Sequence, residues 1–160
     1  MTRKAGIFLI TALVWSMIYS VSLANDVAII VNKENTLDAL SMRELTNIFR
    51  LEKRYWENRD LIYFIMQEPD NPATQTVISK VFRMHDYHEL RTYWLQLIFR
   101  EELSSFPQVL SSDEAIRRFI SQAPTSIGFI DAKFIDDRVK VLRIDGKLPG
   151  DKGYPLTNSP

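Results

Sequence analysis

The stretch that decides the fold is Ala123-Pro-Thr-Ser-Ile-Gly-Phe-Ile-Asp131. It gains its meaning from an earlier run, Asp26-Val-Ala-Ile-Ile-Val-Asn-Lys-Glu-Asn35. Each run contains an almost continuous apolar segment that ends in polar residues. Such segments are typical of strands that are covered on both faces, as in a parallel sheet between two layers of helices.

Helix-start signals alternate with these strands. Ser41 to Glu44 has the spacing of a capping box, and Asn71 followed by Pro72 is a typical cap and first helical residue. The signals predict helices at Met42 to about Phe49, Pro72 to about Met84, Asp86 to Phe99, and, behind a second capping box at Ser111 to Glu114, to about Gln122. Further strands are predicted at Leu61 to Met66, Gln108 to Leu110 and Arg138 to Ile144. The alternation predicts an α/β three-layer sandwich with a mostly parallel central sheet.

Residues 1–24 are interpreted as a secretory signal peptide. Arg3 and Lys4 are positive, the following residues to Val21 are almost wholly apolar, and Ser22-Leu-Ala24 places small residues where a signal peptidase cuts. An uncleaved membrane anchor is the alternative, because the apolar run is close to the length of a spanning helix. If the signal peptide is cleaved, the protein is periplasmic. We predict that residues 25–145 then form one folded domain. Residues 146–160, rich in Gly, Pro, Lys and Asp, predict a loose C-terminal tail.

Composition narrows the function classes. The chain has 20 basic and 20 acidic residues, and removing Arg3 and Lys4 leaves a small acidic excess, so nothing indicates a nucleic-acid partner. Cysteine is absent, so the fold is held by its core without disulfides. The sequence shows no Gly-rich phosphate loop and no Cys nucleophile. We therefore expect neither enzyme activity nor a cofactor.

Six motifs in order resemble one lobe of the phosphate ABC transporter substrate-binding proteins, a type 2 periplasmic binding protein family. They are Ile29-Ile-Val-Asn-Lys-Glu-Asn35, Leu40-Ser-Met-Arg-Glu-Leu-Thr-Asn-Ile-Phe49, Trp56, Tyr93-Trp-Leu-Gln-Leu-Ile-Phe99, the segment Pro107 to Glu114, and Pro124-Thr-Ser-Ile-Gly-Phe129. The resemblance covers Val27 to about Ile144 and implies a single lobe. It also implies that the strands near 27–31 and 126–130 lie adjacent, because in two-lobe relatives these strands cross to the other lobe.

The resemblance implies an oxyanion site, but the motif that would form it is altered. Relatives carry an Arg before a Ser-Gly-Thr that opens a helix, whose N–H groups hold the anion. Here the Ser-Gly-Thr positions fall on Thr76, Val77 and Ile78, and no Arg lies between Asp60 and Lys80. Glu68 and Asp70 add negative charge nearby.

Two functions follow from these observations. In the first, the lobe binds a small oxyanion such as inorganic phosphate weakly at the N-terminus of the helix after Pro72. The ligand-binding residues would be Asn71, Thr74, Gln75 and Thr76. In the second, the lobe has lost its ligand and is a periplasmic interaction module that partners a membrane transporter or sensor. The missing Arg and the single lobe favour the second function, and the family resemblance favours the first.

Two other features have competing interpretations. His85 and His88 are three residues apart, which is compatible with a metal site, but His85 precedes the expected helix cap, so we predict no metal.

Tyr55 and Trp56 lie in the basic loop from Arg50 to Arg59. This loop has the composition of a protein interface, or it folds its aromatic side chains back onto the sheet.

Overall fold

The computed structural model describes residues 26–157. Residues 1–24, which carry the predicted signal peptide, lie outside the described part. The elements in chain order are β1 (Val27–Val31), β2 (Ala39–Leu40), α1 (Met42–Phe49), β3 (Tyr63–Gln67), α2 (Pro72–Val77), a π-helical turn (Ile78–Phe82), α3 (Tyr87–Phe99), β4 (Gln108–Leu110), α4 (Asp113–Gln122), β5 (Ser126–Asp131), a 3₁₀ turn (Ala132–Phe134), β6 (Lys140–Val141) and β7 (Arg143–Ile144). Among residues 26–157, the longest apolar helix is too short to cross a membrane.

The main sheet has five strands in the order β4-β3-β5-β1-β6. Strands β4, β3 and β5 pair in parallel, whereas β1 is antiparallel to both of its neighbours. The adjacent pair β1 and β5 runs from Val27 opposite Asp131 to Val31 opposite Ile127. The predicted three-layer fold, the mostly parallel sheet and the adjacency of these two strands are therefore confirmed.

Helices cover both faces of the sheet. One face of β1, β3 and β5 packs against α1, α2 and α3 and buries Phe49, Phe82, Trp94 and Phe129 completely. The other face packs against α4, where Ile116 and Ile120 meet the opposite side of the same strands. All five residues of β1 are buried because both layers cover it. Its continuous apolar and mostly β-branched sequence has the same cause.

Local capping chemistry sets most helix starts. The Ser41 hydroxyl accepts from the Glu44 N–H while the Glu44 carboxylate accepts from the Ser41 N–H, which completes the predicted capping box. Asn71 caps α2, and Pro72 is its first residue.

The helix that was predicted to run from Pro72 to about Met84 is α-helical only as far as Val77. It loosens into the π-helical turn and stops at Arg83, whose φ of 56° is left-handed.

Three boundaries also differ from prediction. The cap of α4 is Ser112 rather than Ser111, because the Ser112 hydroxyl accepts from the Ala115 N–H. The strand predicted at Leu61 to Met66 is shifted to Tyr63–Gln67. The strand predicted at Arg138 to Ile144 is interrupted at Leu142, since β6 joins the main sheet and β7 pairs with β2 in a second, two-stranded sheet.

The C-terminal segment is docked, and the prediction of a loose tail is wrong as far as residue 157. Tyr154 and Leu156 are buried, and the Val27 N–H donates to the Leu156 carbonyl oxygen at 2.9 Å. The Gly150 N–H also donates to the carboxylate of the buried Asp26 at 2.6 Å. Composition indicated a loop correctly, but two large apolar side chains are enough to fix that loop on the core.

Candidate functional site

The carboxyl ends of three parallel strands meet at one edge of the sheet. These strands are β4, β3 and β5, and they end at Leu110, Gln67 and Asp131. The connection from β3 leads to β4 on one side, whereas the connection from β5 leads past β1 to β6 on the other. Ligands of open α/β sheets bind where connections diverge in this way. This rule places the candidate site between the ends of β3 and β5. The region is here called the switch crevice and is defined by Gln67, Asp113 and Asp131, which are joined by hydrogen bonds.

The carboxylate of Asp113 lies in the switch crevice. Asp113 is the first residue of α4, directly after the Ser112 cap. Its Oδ1 accepts from the Asp131 N–H at 2.9 Å, and its Oδ2 accepts from the Gln67 Nε2–H at 3.1 Å. Both carboxylate oxygens are thus held by donors from the ends of two neighbouring strands, and the helix N-terminus adds a favourable partial positive charge.

Gln67 shows how strongly this contact is preferred. The side chain is almost fully buried, with 1% of its surface exposed. Its Nε2 donates to Asp113, while its Oε1 has no hydrogen-bond partner among the described residues. A buried acceptor without a partner costs about 1–3 kcal/mol. The amide therefore points its donor toward the carboxylate even though its oxygen stays unpaired.

The edge around the switch crevice is acidic. Glu68 and Asp70 are exposed on the loop before α2, and they lie close in sequence to the end of β3. Lys133 pairs with the Asp131 carboxylate at 2.7 Å. The hydrogen bond and the charge of Asp131 raise the pKa of Lys133, with a smaller contribution from Asp113. One lysine therefore faces the two carboxylates of Asp131 and Asp113, and the remaining negative charge disfavours an additional anion.

The four side chains predicted to bind an oxyanion bond to their own chain. The Asn71 oxygen accepts from the Ala73 N–H, and the Gln75 amide donates to the Pro69 carbonyl oxygen at 2.6 Å. The hydroxyls of Thr74 and Thr76 donate to the carbonyl oxygens of Gln67 and Pro72, respectively. Both threonines are buried. The structure thus brings these residues together around the start of α2, but it commits their side chains to local bonds, and their ligand-binding role stays a prediction.

The opposite edge of the sheet holds a cavity of about 260 Å³. Its walls come from the loops after β1 and before β3 and β5, and they include Glu34, Trp56, Glu57 and Asp60. The indole N–H of Trp56 donates to the Thr125 carbonyl oxygen at 2.9 Å, so this ring folds back onto the lobe. Tyr55, in contrast, is 56% exposed. The folded-back interpretation therefore holds for Trp56, whereas Tyr55 is exposed and an interface at this ring stays a prediction.

The two histidines are exposed and lie at the start of α3. The His85 ring is 91% exposed and lies 3.4 Å from the carboxylate of Asp86, the cap of α3. His88 is an exposed residue of the first turn of α3. Within residues 26–157, no group of three or more His, Asp or Glu side chains is arranged to hold a metal ion.

The sequence did not reveal that Gln67, Asp113 and Asp131 form a group. One signal was available, because each residue stands at the end of a predicted strand or the start of the next helix, and such positions converge at one edge of a parallel sheet. Their hydrogen bonds depend on the order of strands in the sheet. That order is not readable from spacing alone.

No protein-family model matches this sequence. Solved structures do match it. An ABC-type phosphate transport receptor from Vibrio cholerae has a TM-score of 0.63 at 17% identity, covering 78% of this chain and 48% of that chain. A putative phosphate ABC transporter substrate-binding protein with bound phosphate from Clostridium perfringens has a TM-score of 0.62 at 18% identity, covering 78% and 47%. PstS from Borrelia burgdorferi has a TM-score of 0.60 at 18% identity, covering 78% and 49%.

These matches show the fold. The chain has the fold of a lobe from a transporter substrate-binding protein. Two of the three matched proteins are named for phosphate transport, and the chain spans about half the length of each of the three. The single-lobe fold that the six sequence motifs predict is confirmed.

Proposed function

We propose that this chain is a substrate-binding-protein-like module that acts by contacting a membrane transporter or sensor, and that an oxyanion such as phosphate binds it only weakly. The observation that carries the weak oxyanion affinity is that Asp113 already accepts the two donors of the switch crevice, from Gln67 and Asp131. The contact with a partner is supported by the exposed surface described below. The matched solved structures include one with bound phosphate and are named as transport proteins. These names support both a transporter partner and an oxyanion ligand in general terms.

The second candidate is that oxyanion binding, at the N-terminus of α2, is itself the function of the lobe, and the fold similarity favours it. The available donors are few. Pro72 has no N–H, the Ala73 N–H is bonded to the Asn71 side chain, and the Gln75 N–H is bonded to the Asn71 carbonyl oxygen. With Glu68 and Asp70 close in sequence, we expect affinity in the high-micromolar to millimolar range, or roughly 4–6 kcal/mol. The site is open to water, so salt should weaken it further.

A partner surface is available near the start of β3. Tyr55 and Leu61 pair through an isolated antiparallel β-bridge, and both residues are more than half exposed. Tyr63, in the same strand region, is 43% exposed. The same loop carries Lys53 and Arg54, so exposed aromatic rings stand beside basic groups, which is a composition typical of interfaces. This surface supports the interaction role. Because residues 1–24 are predicted to be a signal peptide, we propose that the interaction takes place in the periplasm.

An amide NMR titration with inorganic phosphate tests the proposal on purified residues 25–160. We expect either small, saturable shifts confined to residues 71–77 at millimolar phosphate or none at all. Submicromolar binding contradicts the proposal and indicates a complete receptor site.

Photo-crosslinking in cells tests the partner. A photoreactive amino acid at position 55 should give a specific adduct with a membrane protein, and the same group at Lys152, an exposed residue of the C-terminal segment, should not. Equal or absent adducts at the two positions contradict a partner on this surface.

A further inference from the structure

The carboxylate of Asp113 is bound as an external anion would be. Its two oxygens accept from two separate elements, the N–H that ends β5 and the amide that ends β3. It does so at the N-terminus of a ten-residue helix. Donors converging on both oxygens at a helix N-terminus are the usual chemistry of a bound carboxylate or phosphate.

Gln67 supplies an independent observation. Its Oε1 is unpaired and its side chain is 1% exposed, so the amide is fixed inside the crevice with one end unsatisfied. If the amide were reversed, its oxygen would face the Asp113 carboxylate at about the distance that its N–H occupies now. The present orientation is therefore set by the negative charge that fills the crevice.

We propose that Asp113 is a built-in anion that fills the switch crevice and excludes small oxyanions from it. Asp113 is thus a specificity-determining residue. The inference rests on the proposed function, in which the lobe lacks a strong oxyanion site, and it assigns a cause to that property at the α4 end of the crevice. When the side chain is removed, the crevice becomes a site for a small carboxylate.

Charge and size select the ligand class. Removing Asp113 deletes one negative charge and leaves two donors, from Gln67 and Asp131. The neighbouring Asp131 carboxylate is already paired with Lys133. Binding of one monoanion would therefore restore the charge that the crevice has with Asp113 present. A planar monoanion such as formate or acetate reproduces the lost group. Doubly charged phosphate adds a charge beside Asp131 and is expected to bind less well.

The test is chemical rescue of Asp113→Gly by sodium formate. Thermal unfolding of residues 25–160 is measured in sodium formate and in sodium chloride at the same ionic strength. We expect Asp113→Gly to unfold several degrees below the wild type, about 4 °C or more. Formate at tens to hundreds of millimolar should restore part of this loss saturably, and the Asp131 amide resonance should move back toward its wild-type position.

Three further variants complete the experiment. Asp137→Gly is the matched control, because Asp137 is exposed and its carboxylate makes no hydrogen bond within residues 26–157. Asp113→Asn keeps the crevice filled and should show no formate response. Asp113→Ser replaces the glycine variant if that variant does not fold in chloride. Formate should also restore folding to a variant that is unfolded in chloride. If both Asp113→Gly and Asp113→Ser stay unfolded in formate, the proposal is contradicted.

The outcomes separate this inference from the proposed function. A formate response of Asp113→Gly no larger than that of Asp137→Gly overturns the built-in anion, whatever the wild type does with phosphate. Tight phosphate binding by the wild type overturns the proposed function, while a formate response of the variant would still establish the occupancy of the crevice by Asp113.

Discussion

The hydroxyl of Tyr154 donates a 2.8 Å hydrogen bond to the carbonyl oxygen of Val27. The two residues are separated by nearly the whole described chain, and both are buried. Burial, and to a smaller degree the charge of Asp26, raises the pKa of the Tyr154 phenol. The phenol therefore stays protonated and serves as a donor, and the C-terminal segment is part of the folded lobe.

Tyr154→Phe should destabilise the protein by about 1–3 kcal/mol, because the variant leaves the buried carbonyl oxygen of Val27 without this donor. Urea unfolding followed by fluorescence measures the change. Tyr55→Phe is the control, since Tyr55 is more than half exposed. Equal stability of the two variants would show that the tail bond contributes nothing.

Weak oxyanion binding at the start of α2 should respond to the acidic loop. Glu68→Gln together with Asp70→Asn removes two negative charges, and we expect phosphate affinity to rise about two- to tenfold at low salt. The NMR titration described above measures it. Glu102→Gln, in the loop after α3, is the control and should have no effect. Unchanged affinity in the double variant would place phosphate elsewhere or nowhere on the lobe.

Acid should weaken the surface cluster that joins α4 to the loop before β6. Arg138 donates to both oxygens of Glu114 at 2.8 Å, and these hydrogen bonds lower the pKa of Glu114 to about 2. A lowered folded-state pKa stabilises the fold above the unfolded-state value of about 4.5 and loses this contribution as the pH falls toward 2. The stability difference between the wild type and Glu114→Gln should therefore be largest near neutral pH and vanish in that acidic window. Thermal unfolding across the pH range measures it, and a constant difference would contradict the assignment.

Gly128 is required by close packing in the middle of β5. A Cβ atom there would lie 2.9 Å from Ile120 Cδ1 and 3.1 Å from the Ile65 carbonyl oxygen. Gly128→Ala should cost about 1–3 kcal/mol through overpacking. Ile120→Val removes the closest atom, so the double variant should be more stable than the sum of the single losses predicts. Strict additivity, measured by denaturant unfolding, would show that the Ile120 contact is not the cause.

The parts of the fold that depend on local chemistry were predictable. The Ser41 capping box, the Asn71 cap and the buried β1 run are each encoded within a few neighbouring residues. The α2 helix was predicted too long because nothing in the sequence of Ile78–Phe82 distinguishes an α from a π turn. The docked tail was missed because Tyr154 and Leu156 are sparse apolar residues in a loop composition, and only their tertiary partners make them core.

The candidate site was less accessible to sequence reasoning. Asn71, Thr74, Gln75 and Thr76 were correctly grouped at the start of a helix, but their side chains bond locally, which spacing does not reveal. The contact of Asp113 with Gln67 and Asp131 joins residues from three separate segments. Only the strand order places them together.

The position of β1 has a consequence for how the chain acquires its structure. Both neighbours of β1 in the sheet, β5 and β6, come from the last third of the sequence. The apolar run Val27–Val31 therefore has no strand to pair with until almost all of the chain has been made, and its contacts are of high sequence separation. Such topologies fold slowly. An apolar strand that is still unpaired is prone to self-association until its partner strands are available. The first strand of the lobe can therefore pair only late in synthesis, and we expect the nascent chain to depend on chaperone protection of this segment.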